Sequence, residues 1–381
     1  MKYRIFPKIP GISVSALGLG CMRLPVVDND PGRIDEELAM ATVQAALDAG
    51  INYIDTAWPY HREQSEPFVG RAIERLGVRS SVLVASKSPV WLVKEEGDWD
   101  RYLDEQLKRL RTDHIDFYLM HALSQSRWET IVGKNGIRFL ERAKADGRIR
   151  HAGFSFHDSY SVFETIVNAW DGWEFCQIQF NYMDGDYQAG AQGLALAEAK
   201  ALGVICMEPL RGGALAKVPD GVKAILASWG KPRMAAEWAL RYVLDRQEIV
   251  TVLSGMDRPD QVWENAAVAS SVLPNTMLDG EHAVLEKARD WFRARMQVPC
   301  TTCGYCKPCP EGVSIPEIFE QWNAASMYGG EDAKRAWYKS MYKEKNCGAD
   351  RCVRCGACVP RCPQGIDIPE RLAKARDFLD R

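Results

Sequence analysis

The chain has no long apolar run, no excess of either charge and no G-x-G-x-x-G fingerprint after an early strand. Each absence removes a class of answer. Without a run of about 20 apolar residues there is no membrane-spanning helix to expect. The 48 basic and 51 acidic residues leave a formal net charge of −3, which excludes the basic face that nucleic-acid binding needs. The missing glycine fingerprint argues against a doubly wound dinucleotide fold. Met1 to Pro10 carries no apolar leader core, so a reducing cytoplasm is expected rather than an oxidising compartment. What remains is an ordinary composition, 46% hydrophobic and 26% charged, with 381 residues to build a large barrel and an appendage.

Cysteine is neither scarce nor evenly spread. Of the 12 cysteines, eight form two combs: Cys300, Cys303, Cys306 and Cys309 before Pro310, then Cys352, Cys355, Cys358 and Cys362 before Pro363. Three thiolates at C-x2-C-x2-C spacing wrap one corner of a cubane, and the later Cys-Pro supplies a ligand to the other cluster. The second comb has the C-x2-C-x2-C-x3-C-P spacing of bacterial ferredoxins, and the first is one residue shorter before its last cysteine. The expected wiring places Cys300, Cys303, Cys306 and Cys362 on one [4Fe–4S] cluster and Cys352, Cys355, Cys358 and Cys309 on a second. Two structural zinc sites are the alternative, although zinc takes its cysteines in pairs rather than in triplets closed by Cys-Pro. Cys21, Cys176 and Cys206 lie in apolar strand-like runs and read as buried hydrophobes, which leaves Cys347 unassigned.

Up to about residue 270, short apolar runs alternate with helical patterns. The predicted strands are Ala16–Gly20, Tyr53–Asp55, Val82–Ser86, Ile115–Met120, Ile149–Ser155, Phe175–Phe180, Val204–Glu208 and Ile249–Leu253. Leu103, Leu107 and Leu110 share one helix face, as do Met40, Val43 and Leu47. Gly50, Gly147 and Gly203 stand where helices should end, and Pro232 where one should begin. Eight such units predict an α/β fold, a (β/α)8 TIM barrel with its chemistry at the C-terminal strand ends. Ser13–Leu17 is read as part of a small hairpin plugging the barrel floor. The domains expected are a barrel over 1–280, a helical linker over 281–298 (within the helical stretch Leu278–Met296) and a small α-rich ferredoxin-like iron–sulfur domain over 299–381. Residues 313–345, with Trp322, Trp337 and Tyr338, are expected to pack that domain onto the barrel.

Polar residues at the strand ends make a short list: Asp55, Tyr60 five residues on, Lys87 and His121. A phenol near pKa 10 is a poor acid unless its anion is stabilised. Lys87 beside it would lower that pKa, Asp55 would hold the lysine charged, and Tyr60 could then protonate a carbonyl oxygen while His121 orients it.

These four residues, in order and approximate spacing, resemble the aldo-keto reductase tetrad. Leu17 to Gly20, Ser65-Glu66, Gly153 to Ser155, Gln179 to Asn181, Pro209 to Gly213 and Glu264-Asn265 match further motifs. With the combs, the whole chain resembles bacterial aldo-keto reductases that carry a C-terminal ferredoxin-type domain. The resemblance implies NADPH (NADH being the alternative) across the barrel mouth, with Ser155 and Gln179 at the carboxamide, Asp55 and Lys87 near the reactive ring, and Gly20 and Met22 among the cofactor contacts. It implies Leu210, Gly212 and Gly213 at the pyrophosphate, Ser254 and Gly255 after the last strand, and Glu264 and Asn265 at the adenine. Two departures stand out. The strand-seven end, usually aromatic, reads Met207, Glu208, Pro209, and the usual cations for the ribose phosphate are replaced by Gly255 and Gln261, which leaves Arg258 as the candidate.

The reading implied is an NAD(P)H-dependent oxidoreductase acting on a small-molecule carbonyl, an aldehyde, ketone or sugar. Trp58, Trp91 and Met22 are the candidates to line its pocket, with cap packing the equal alternative for either tryptophan; His61, Arg62 and His157 lie near the mouth, and Arg62 reads as a solvated arginine before a contact for an anionic substrate. The clusters would be either a structural staple or a conduit to an electron-transfer partner. A redox-sensing regulator or an electron carrier is the alternative class. No membrane or nucleic-acid partner is expected.

Overall fold

The computed structural model describes every residue except Thr301, Cys303 and Pro363. Cys303, expected as a cluster ligand, thus lies outside the described residues. An antiparallel hairpin, β1 (Tyr3–Ile5) and β2 (Ser13–Ser15), opens the chain. Eight parallel strands follow and close into a barrel: β3 (Leu17–Gly20), β4 (Tyr53–Asp55), β5 (Leu83–Ser88), β6 (Ile115–Leu123), β7 (Ile149–Phe156), β8 (Phe175–Gln179), β9 (Gly203–Met207) and β10 (Ile249–Ser254). The eight expected strands are all present, with β6 running three residues past its predicted end. Around them lie α1 (Glu36–Asp48), α2 (Ser65–Leu76), α3 (Gly97–Leu110), α4 (Gln125–Gly133), α5 (Gly136–Ala145), α6 (Tyr160–Ala169) and α7 (Gly190–Ala199).

The hairpin seals the barrel floor with one ring. Phe6 is fully buried among Phe117 and Phe175, at centroid distances of 5.1 and 6.0 Å. A Cβ on Gly203 would lie 2.0 Å from the Phe6 ring. This corrects the reading of Gly203 as a helix cap. It opens β9 and is glycine because the plug needs the space, while the left-handed turn after α7 falls on Ala201. Gly50 and Gly147 do take left-handed φ, 82° and 83°, after α1 and α5.

The chain divides into two compact units that do not follow its linear order. The first holds residues 1–216 and 236–278, and the second holds 217–235 with 279–381. In the second, α8 (Asp220–Ala227) packs on α11 (Asp279–Arg293), which is separated in sequence by α9 (Ala235–Leu244) and α10 (Pro259–Ser271). Gly221 leaves room for the Trp291 indole and Gly280 for that of Trp229, and Arg233 pairs with the buried Glu281. Pro232 stands three residues before α9 instead of opening it. Then come α12 (Ile315–Tyr328), α13 (Glu331–Tyr338) and α14 (Ile368–Leu379). Trp322 and Tyr338, expected to face the barrel, are buried in this unit's own core with Ile318, Phe319 and Leu372, and Trp337 is half exposed. No helix among the described residues is long and apolar enough to cross a membrane.

Emptying the floor plug with Phe6→Ala should cost about 3–5 kcal/mol. It would be read as a lower urea midpoint with an unchanged slope for the barrel transition.

Candidate active site

Lys87 is the centre of the site. Its ammonium is 1% exposed and donates to Asp55 Oδ1 at 2.6 Å, to the Thr56 carbonyl at 2.8 Å and to Tyr60 Oη at 3.3 Å. An ammonium has three donors, so none is left over. Asp55 ends β4, Lys87 lies in the neighbouring β5, and His121 in β6 next to that. The His121 ring meets that of Tyr60 edge-on, with centroids 6.1 Å apart. The structure thus brings Asp55, Tyr60, Lys87 and His121 together.

Burial and charge set their protonation. Desolvation opposes the Lys87 charge, but Asp55 and Tyr60 outweigh it and hold the ammonium above its ordinary value. Burial pushes the Tyr60 phenol up; Lys87 pulls it down, and Asp55 and Glu208 push it up again. Lys87 thus lowers the phenol as expected, but the net direction is upward, because desolvation outweighs one cation already shared with a carboxylate. Burial drives His121 well below the imidazole range, and Lys87, His157 and Arg127 drive it further. The ring is neutral, and its Nδ1 has no hydrogen-bond partner among the described residues.

The turn that aims Tyr60 is strained. His61, Arg62 and Glu63 all take left-handed φ, 53°, 49° and 70°. For residues with a Cβ this costs on the order of 1 kcal/mol each, and all three side chains are pinned. His61 Nε2 accepts the Leu24 amide at 3.1 Å, so its Nδ1 carries the proton donated to the Pro31 carbonyl at 2.9 Å. Arg62 pairs with Asp30 at 3.0 Å, and Glu63 with Arg109 at 2.8 Å. Apart from this pair Arg62 is exposed, as expected of a solvated arginine. Trp58, expected in the pocket, lies 3.6 Å under the Arg109 guanidinium and edge-on to Tyr102. Glu66, buried behind Lys87, accepts from Ser86 and Gln106, both at 2.5 Å, and Gln106 also donates to the Lys87 carbonyl at 3.1 Å. Of the expected pocket tryptophans, Trp91 reaches the site, with its ring 5.2 Å from that of His121.

A second group of loops gathers beside the tetrad. After His121, a register shift between Met120 and Leu123 and a left-handed Ala122 form a bulge, and Ser155 Oγ accepts the Ala122 amide at 2.6 Å. Gln179 donates to Asp184 at 2.8 Å, and Asp184 also takes Asn181 and Arg211, each at 3.0 Å. One carboxylate therefore fastens the loop after β8 to the loop after β9. A Cβ on Gly212 would lie 2.9 Å from the Arg23 guanidinium, one on Gly255 3.0 Å from the Arg23 side chain, and one on Gly20 3.4 Å from the Ser254 carbonyl. Gly20, Gly212 and Gly255 thus line one cradle with Arg23 lying in it. Leu210 enters the turn of Gly212 and Gly213, which both have positive φ, 65° and 93°. Asn265 donates to Ser254 Oγ at 3.2 Å. Met22 is exposed beside Arg23. Arg258 is exposed and paired with Asp260 at 3.2 Å, and Glu264 is exposed on α10; the described contacts place neither in the cradle.

In the second unit, Cys300, Cys306 and Cys362 line one apolar cavity with Ile315, Phe319, Ile366 and Ile368. Burial pushes the Cys358 thiol up to about 11, and Cys352, Cys306 and Cys309 crowd it in the same direction. Asn323 clamps the entry to the first comb, accepting the amides of Gln297 and Val298 at 2.9 Å each. Tyr338 Oη takes the Ala349 amide at 2.9 Å just before the second comb. Cys355 is exposed, and none of the described cysteines is disulfide-bonded.

Residues 16–280 match the aldo/keto reductase family, and residues 299–366 match a 4Fe-4S dicluster domain. The chain belongs to the aldo/keto reductase family. It is 27% identical to the L-galactose dehydrogenase of Arabidopsis thaliana over 303 residues, which cover 74% of this chain and 93% of that protein. It is also 27% identical to the NADH-specific methylglyoxal reductase of Escherichia coli K12 over 299 residues, covering 67% and 90%. Among solved structures, the holo form of the aldo-keto reductase AKR11C1 from Bacillus halodurans superposes with a TM-score of 0.61 at 26% identity, covering 76% of this chain and 96% of that one. An aldo-keto reductase from Klebsiella pneumoniae in complex with NADPH shares the fold, with a TM-score of 0.59 at 23% identity and coverage of 75% and 95%.

In this aldo/keto reductase, two residues at the site were not singled out from the sequence. Arg23 stands three residues past the end of β3, and that position is its signal in the sequence. Arg127 sits six residues after His121 on a helix, where nothing in the pattern separates it from a solvated arginine.

Proposed function

We propose that this oxidoreductase reduces the carbonyl of a small aldehyde, ketone or sugar with NADPH, with Tyr60 as general acid. The observation that carries the reading is the three-way contact of Lys87 with Asp55, Thr56 and Tyr60, set against the neutral ring of His121. The nicotinamide supplies the hydride when bound. Tyr60 holds a proton at neutral pH, and Lys87 stabilises the phenolate that its transfer leaves. His121 donates one ring N–H to the substrate oxygen, as only a neutral or charged ring with a proton on that nitrogen can.

The residues present fit the cofactor. Ser155 accepts an amide and keeps its own hydroxyl hydrogen to donate, while Gln179 spends its amide nitrogen on Asp184 and keeps its carbonyl oxygen. Together they suit a carboxamide. The glycine cradle around Arg23 would hold the phosphates, with Arg23 supplying the cation that Arg258, tied to Asp260, does not.

For the second unit we propose two [4Fe–4S] clusters on the expected cysteines, as structural staples. Support comes from the shared cavity of Cys300, Cys306 and Cys362 and from the gathering of Cys352, Cys306 and Cys309 about Cys358, which puts ligands of both expected clusters close together. It comes also from the packing of these cysteines against the unit's core. Thiols must lose their protons to bind iron, so assembly and folding of the unit are coupled.

Tyr60→Phe should lower carbonyl reduction 10²- to 10⁴-fold while NADPH affinity, read by fluorescence titration, stays within about twofold. A variant that keeps its rate sinks the general-acid role. The kcat profile for reduction should be flat from below pH 6 to beyond pH 9. Tyr60, raised above 10.0, loses its proton only past that value, and His121, lowered below 6.5, gains one only well under it. A limb near pH 7 would contradict this assignment. Anaerobic chelation of iron should abolish the protease resistance of residues 279–381. Mixing with NADPH alone should leave the iron–sulfur absorbance unchanged, and bleaching without a carbonyl would make the clusters electron carriers instead.

A further inference from the structure

Resting on that reading, we infer that the substrate carries an anionic group beside its carbonyl, a carboxylate for preference, and that Arg127 binds it. Arg127 is half-buried on α4, just past the bulge that follows His121. Its Nη1 donates to the Ala122 carbonyl at 2.5 Å, which fixes the guanidinium and leaves the other edge of the fork unused in the described contacts. The guanidinium lies 5.2 Å over the Trp91 ring, and that ring is 5.2 Å from the ring of His121. The chain Arg127, Trp91, His121 therefore runs from a fixed cation to the imidazole that would hold the carbonyl.

Arg127 lacks a counterion while lying beside the tetrad; the half-buried Arg4 and Arg246 also have no ion pair among the described contacts, but Arg4 spends its fork on the carbonyls of Leu244, Arg246 and Ile249, and Arg246 lies by the rings of Phe180 and Tyr242. Other half-buried arginines of the barrel face acids: Arg109 meets Glu63, Glu66 and Glu105, Arg148 meets Asp100, Asp104 and Asp146, and Arg211 meets Asp184. Arg127 has no ion pair among the described residues. Asp158, the acid anchoring the start of α4, accepts the amides of Gln125 and Ser159. Burial alone acts on the Arg127 guanidinium, lowering its pKa with no carboxylate to raise it. The two other cations first in line for an anion are already engaged, Lys87 by its three acceptors and Arg62 by Asp30. A fixed, partly desolvated guanidinium with a free edge recognises a carboxylate through two parallel N–H···O bonds. The indole between it and His121 would floor the carbon chain joining carboxylate to carbonyl. Its two centroid steps suit a short chain or a single ring.

The test compares glyoxylate, succinic semialdehyde and 2-carboxybenzaldehyde, each against its methyl ester, in the full-length holoenzyme with NADPH. The acids should be preferred about tenfold to a hundredfold in kcat/KM, as expected for a charge-assisted pair, with the difference carried mainly by KM. Arg127→Met should collapse the acid-to-ester ratio toward one, and Arg127→Lys should restore part of it. NADPH affinity measured in each variant shows that the barrel is intact. Esters reduced as well as acids by the unaltered enzyme, or a preference that survives Arg127→Met, overturns the inference while leaving carbonyl reduction standing. Consumption of NADPH with neither set would sink the reductase reading, and this inference with it.

Discussion

One buried charge organises the barrel mouth. The Lys87 ammonium is shut away from water, and its desolvation is tolerable only because three acceptors meet its three hydrogens. Removing one partner from such a buried pair commonly costs 3–5 kcal/mol. The positions of Asp55, the Thr56 carbonyl and Tyr60 Oη are therefore not independent. Whatever fixes the lysine fixes the phenol, and the phenol's neighbours inherit that order. Adjacent parallel strands supply the precision: Asp55 faces Ala85 across the β4–β5 ladder and Lys87 faces Leu119 across β5–β6. A one-residue slip would turn each of these side chains to the other face.

The strain in the following turn is explained by the same charge. Tyr60 must return toward Lys87 immediately after β4, and the chain does so through three consecutive left-handed residues without glycine. Each of the three is held from outside the turn: His61 by Leu24 and Pro31, Arg62 by Asp30, and Glu63 by Arg109. Glycine would adopt this backbone at less cost, but it could not hold the turn in place. Here stability has been exchanged for position.

The strands and the tetrad were legible because they obey strong local rules. Apolar runs of three to seven residues separated by helical periods give the barrel, and polar residues where those runs stop give the four convergent groups. What could not be read depends on neighbours distant in sequence. Gly203 has the spacing of a helix cap, yet its reason is Phe6, on the far side of the barrel in sequence. Trp58 and Trp91 look alike as loop tryptophans, and only Arg109 and Tyr102 make the first a packing residue. Arg62 and Arg127 differ in the same way. One has an aspartate waiting in another loop and the other has none among the described residues, and a single sequence does not show which acids come near. The segment 217–235 follows this pattern too, since its attachment to α11 rests on indole rings over Gly221 and Gly280.

The disposition of positive charge around the site follows one logic. Lys87 is neutralised inside the protein, so its field is local; it can steady a phenolate but has no hydrogen left for an incoming anion. Arg127 is the opposite case, held against the fold without a carboxylate among its described contacts, whereas Arg23 lies in the glycine cradle with the Glu208 carboxylate near the same glycine. An arginine with its own acid is a strut, because the pair gains little by exchanging one carboxylate for another in solution. An arginine fixed by an aromatic face and a carbonyl is already ordered but still lacks its anion. The entropy cost of positioning it is met during folding, and an anionic ligand gains the charge-assisted bonds without bearing that cost. The aromatic path from Trp91 to His121 is thus a place where the fold has prepared for negative charge that its described contacts do not supply.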